Sequence, residues 1–114
     1  MSIKTTVLTE VDVLTSTATS TAGAASTTTQ QCVVTTEALV TAAGATYTFT
    51  LTNPLINANS IVNCPVGKGT ATTGGLVPIF STPTAGSCVI IFQNVTLAAL
   101  NGTLKIGFFI TNLS

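Results

Sequence analysis

Histidine, the commonest general base and metal ligand, does not occur in this chain of 114 residues. A Ser-His-Asp or Cys-His catalytic group therefore cannot be assembled within it. The acids are Glu10, Asp12 and Glu37, the cations Lys4, Lys68 and Lys105, and arginine is absent. Glu10 and Asp12 stand two apart, so a strand puts both carboxylates on one side. Such a pair could hold a calcium ion at a subunit interface or serve as acid and base. A strand face open to water explains it as simply. Glu37 is remote from both in sequence. Cys32, Cys64 and Cys88 are too widely spaced for a cysteine-only zinc site. Three thiols cannot all pair within one chain, and buried, inert thiols are expected, Cys64 and Cys88 above all. Gly67-Lys68-Gly69 and Gly74-Gly75 lack the Lys-Ser/Thr order and following helix of a phosphate loop, and read as turns. Asn-X-Ser/Thr triplets begin at Asn94, Asn101 and Asn112, close to what chance gives in a chain so rich in Ser and Thr. The expectation is no enzyme, no cofactor and no metal.

Charged residues make up 5% of the chain, against about 25% in ordinary soluble domains. Hydroxyls and amides fill the polar positions instead; Thr alone occurs 25 times. Threonine is β-branched, so it fits a pleated strand while tolerating water. Net charge is zero, which removes the repulsion that keeps molecules apart and favours association. With no clustered Lys and Arg, neither nucleic acid nor an acidic membrane surface is an expected partner. The apolar runs, such as Cys88 to Phe92 and Phe108 to Ile110, fall far short of the roughly 20 residues of a spanning helix. The N-terminal Met1-Ser2-Ile3-Lys4-Thr5-Thr6 lacks the apolar stretch of a signal peptide. The chain is thus expected to stay in the cell that makes it, or to leave inside a particle.

Periodicity places the elements. Thr5 to Leu14 reads as a first strand, with Val7, Val11 and Val13 on one face. Thr15 to Gln31 holds no large apolar residue and cannot anchor a core by itself. It reads either as a flexible linker or as an extended arm that orders against neighbouring subunits. Ala38 to Thr41 and Thr46 to Thr52 flank Ala42-Ala43-Gly44-Ala45 as a hairpin. Ser60 to Val66 is a further apolar stretch. Leu76 to Phe80 carries Pro78 and reads as an edge strand, followed by a turn over Thr82 to Gly86. Ser87 to Val95 is the expected central strand. Asn101-Gly102 is the strongest hairpin signal, for a type I′ turn. Thr103 to Asn112 closes the chain, with Leu104, Ile106, Phe108 and Ile110 on one face and Lys105, Gly107 and Phe109 on the other. The fold expected is all-β: a single β-sandwich, a jelly roll being one form of it, of seven or eight short antiparallel strands. Residues 1–31 form an N-terminal strand and arm, and 32–114 the sandwich domain.

Val34-Thr35-Thr36-Glu37-Ala38-Leu39, with Ala42-Ala43-Gly44-Ala45-Thr46-Tyr47-Thr48-Phe49-Thr50-Leu51-Thr52-Asn53, resembles small virion structural proteins of tailed bacteriophages. The ending Leu100-Asn101-Gly102-Thr103-Leu104-Lys105-Ile106-Gly107-Phe108 is similar to the same group. The resemblance implies a β-sandwich capsid decoration or cement protein, or a head or tail fibre module, often trimeric. It implies a location on the capsid surface of a virion, after synthesis in the host cytoplasm. The partners implied are further copies of the chain, the major capsid protein or other virion proteins. Alternatives are a receptor-binding fibre tip, with Tyr47 and Asn57-Ala58-Asn59 as its sugar-binding candidates, and an oligomeric scaffold unrelated to viruses. Phe109, beside Lys105, is too large to leave on an outer face uncovered. Together with Val7, Val11 and Val13 it marks the expected oligomer interface.

Overall fold

The computed structural model describes residues 15–112. These form nine strands in two packed sheets, a β-sandwich, with no helix among the described residues. In chain order they are β1 (Thr15–Thr19), β2 (Ala24–Ser26), β3 (Gln31–Thr35), β4 (Thr46–Thr52) and β5 (Ser60–Asn63). They continue as β6 (Val66–Lys68), β7 (Leu76–Thr84), β8 (Ser87–Asn94) and β9 (Leu104–Asn112). The first sheet runs β1-β3-β9-β5, with β6 also on β9; the second runs β2-β4-β8-β7.

The strongest alternations make the interior strands. In β8, Cys88, Ile90, Phe92 and Asn94 point inward while Ser87, Val89, Ile91 and Gln93 point out. It lies between β4 and β7. In β9, Leu104, Ile106, Phe108 and Ile110 are buried, and β3 and β5 flank it. The two layers meet where Phe49 of β4 stacks on Phe108 of β9, ring centroids 5.3 Å apart. Phe49, Phe92 and Phe108 are fully buried, and burying a side chain of that size stabilises by about 1.5–3 kcal/mol.

Several expectations meet a different outcome. The stretch Thr15 to Gln31 is built into this chain's own sandwich. β1 pairs in parallel with β3, and β2 in parallel with β4. Both sheets are thereby mixed rather than purely antiparallel. Edge strands need little apolar surface, so β-branched Thr and small Ala suffice there. The Ala38–Thr41 hairpin does not form. Leu39 makes a single bridge to Gly102, whereas β4 carries the large residues and takes β8 as its partner. Gly44 and Ala45 bond instead to Asn94, at the end of β8. Asn101-Gly102 is not a tight turn. Asn101 Oδ1 accepts from Thr72 and Thr73 N–H. A Cβ at Gly102 would lie 2.8 Å from Ala71 N, so this glycine serves close backbone approach. Ser60 to Val66 is two strands, broken at Cys64-Pro65. The strand with Pro78 is an edge strand, longer than expected because Thr82 and Thr84 stay paired to β8.

Candidate interaction face

Phe109 stands on the outer face of β9, opposite Gln31 on one side and Asn63 on the other. It is 40% exposed. Its ring lies over the bare backbone of Gly107, where a Cβ would sit 3.6 Å from Phe109 Cε2. Gly107 N–H donates to the Pro65 carbonyl at 2.9 Å. The result is a cleft of about 450 Å³ lined by Asn63, Cys64, Pro65, Pro78 and Phe109. Pro78 comes from the second sheet, so the cleft lies at the side where β5 and β7 approach each other. β7 carries exposed apolar residues of its own, Val77, Ile79 and Phe80, and the register to β8 slips between Pro78 and Phe80. A bulge of this kind twists an edge and re-aims its side chains. Lys105 shares the outer face of β9, opposite Thr35. Val7, Val11 and Val13 lie outside the described residues, as do Glu10 and Asp12.

Glu37, remote from the other two acids in sequence, is the centre of a polar cluster. It receives hydrogen bonds from Ser20 Oγ and, at 3.0 Å, from Tyr47 OH. Its own N–H donates back to Ser20 Oγ at 3.1 Å. Burial pushes the Glu37 carboxyl up, but hydrogen bonds from Ser20, from its own backbone, from Tyr47 and from Gly23 outweigh this and hold it below its ordinary value. Burial first, and then the Glu37 charge, push the Tyr47 hydroxyl above its usual range, so it remains a donor. Tyr47 is therefore half-buried and committed, not an open platform. It pairs with Phe92, while the Asn57–Asn59 loop lies toward the other end of the strand, where Gly86 N–H reaches the Ile56 carbonyl.

Two fully buried asparagines organise the loops. Asn94 donates to the Thr41 and Ala98 carbonyls at 3.1 and 2.9 Å and accepts from Thr96 N–H and Oγ1. Asn53 donates to Thr27 Oγ1 and the Thr29 carbonyl and accepts from Leu55 N–H. Full burial of Asn94 also rules out the first Asn-X-Thr triplet as an acceptor in the folded chain. Sequence reasoning missed both, because a buried amide and a loop amide look alike on a single line of residues.

All three thiols are free and buried, as expected from the sequence. Burial, and then the neighbouring Cys88 and Cys32, push the Cys64 thiol up to about 12. Among the described residues no three His, Cys, Asp or Glu side chains converge as a metal site requires. Neither a family model, nor a curated protein, nor a solved structure matches this chain.

Proposed function

We propose that this chain is a non-enzymatic structural subunit of a virus particle, a capsid decoration protein that binds the outer shell as a homo-oligomer. The observation that carries the reading is exposed apolar surface: Phe109 and Pro78 at the cleft, and Val77, Ile79 and Phe80 on the β7 edge. Large apolar side chains left exposed in this way ask for another surface to cover them. A chain with 5% charged residues has little else to keep it dispersed. Closed symmetry covers the face without an open-ended fibre, and three-fold closure is the form the phage resemblance implies. Shell binding would act by mass action, since only the assembled lattice offers the complementary site.

The test is stoichiometric. In purified particles whose genome encodes this chain, quantitative mass spectrometry should count it in hundreds of copies beside the major capsid protein. A handful of copies accompanying tail proteins, or none in the particle, would overturn the reading.

A further inference from the structure

We propose that β1 and β2 form an acid-released strap, which closes one side of the sandwich at neutral pH and opens as a unit when Glu37 is protonated. The topology sets it apart. β1 lies at the edge of the first sheet and β2 at the edge of the second. The link between them crosses from one layer to the other. Thr21 and Ala24 exchange hydrogen bonds of 2.9 and 3.1 Å, around Ala22 and Gly23 with φ of 51° and 77°. Two central residues of positive φ make this a turn of the I′ kind. Ala22, with a Cβ, holds that conformation against a steric cost.

Little apolar packing retains the strap. Its contributions to the core side are Ala18 and Ala25, which pack against the cluster only partly buried, with Ser16 and Ser20. Ser16 bonds Thr29, and Ser20 N–H bonds the Thr35 carbonyl. The rest of the sandwich is held by Phe49, Phe92, Phe108 and the aliphatic residues around them. A segment with few buried apolar contacts belongs to the part of a fold that opens first.

Its charged anchor is Glu37, which follows β3. The carboxylate takes hydrogen bonds from Ser20 at the start of the crossing and from Tyr47 of β4, and the Gly23 backbone within the crossing helps to hold it below its ordinary value. Gly23 is packed so closely that a Cβ there would lie 2.7 Å from the Thr48 carbonyl oxygen, so the crossing fits one position. At its other end the strap stops at Thr27, where the buried Asn53 amide donates to Thr27 Oγ1 at 3.0 Å.

The direction with pH follows from linkage. A carboxyl held below its unfolded value stabilises the closed form above that value, and the contribution is lost as pH falls through the folded value. The window therefore lies below the ordinary carboxyl value of 4.5. Of the groups facing Glu37, Ser20 and Gly23 do not titrate, and Tyr47, pushed upward, stays protonated throughout. Lys105, opposite Thr35 on the outer face, and Lys68 on β6 make no hydrogen bond to the carboxylate among the described residues.

Hydrogen exchange read by mass spectrometry tests this, with rates corrected by an unstructured peptide at each pH. Peptides covering Thr15 to Ser26 should lose protection about tenfold relative to β8 and β9 between neutral pH and about pH 3, the size of one charge-assisted hydrogen bond. Glu37→Gln should show the loosened strap already at neutral pH, with no further acid step. Should that variant fold poorly, Tyr47→Phe removes one donor and keeps the ring, and should loosen the strap partway. Protection of β1 and β2 that falls in step with β8 and β9 would overturn the proposal. So would an acid step that persists in Glu37→Gln.

Discussion

Asn94 shows how a single amide can hold three segments. Its side chain ties the loop before β4, the end of β8 and the loop leading to β9. Replacing it with Ala deletes all of these side-chain hydrogen bonds at once, and each contributes about 0.5–1.5 kcal/mol. Asn94→Ala should therefore lower the unfolding free energy by about 2–4 kcal/mol in denaturant titration. Asn94→Asp should fare no better, because a buried carboxylate cannot donate to the Thr41 and Ala98 carbonyls. The cysteines behave in the opposite way. Their thiols are raised by burial, and the thiolate is the reactive form. Native protein should label slowly with a thiol reagent and completely only after unfolding. Rapid labelling of all three in the native state would contradict their placement in the core.

The strands were legible in the sequence wherever large apolar residues recur at a spacing of two. Tyr47, Phe49 and Leu51 announced β4, and Ile106, Phe108 and Ile110 announced β9. The side on which Phe109 falls could be read from the same alternation, because the period of two fixes it. What could not be read were β1 and β2, built from Thr, Ala and Ser, whose positions are set by backbone pairing to β3 and β4. The partner of a strand was equally hidden: Asn101-Gly102 carries hairpin residues, yet its Asn holds the Thr72–Thr73 backbone instead. The cleft joins Asn63, Pro78 and Phe109 across two sheets, a proximity that only the folded topology creates. On the β7 edge, Pro78 and Pro83 lack backbone N–H groups, which blunts a nine-residue edge whose first part, Leu76 to Phe80, is apolar. Pro78→Val together with Pro83→Val should raise the rate of aggregation in light scattering severalfold, with the melting temperature changing little. An unchanged rate would show that the prolines do not guard this edge.

For the whole molecule, the governing quantities are a near absence of charge and an apolar side left open at the β5 and β7 edges. The sandwich closes its other side with its own strands, β1 and β2. Phe109 and its cleft are the proposed contact for a second copy. The most direct measurement is the solution mass of the purified chain at micromolar concentration, by sedimentation or mass photometry, beside that of Phe109→Asp. Phe109 is 40% exposed, so the substitution should cost the isolated sandwich about 1–2 kcal/mol, less than the stability of a small domain. The account predicts a trimer for the natural chain and a folded monomer for the variant. A stable monomer for both, or the same oligomer for both, would contradict it.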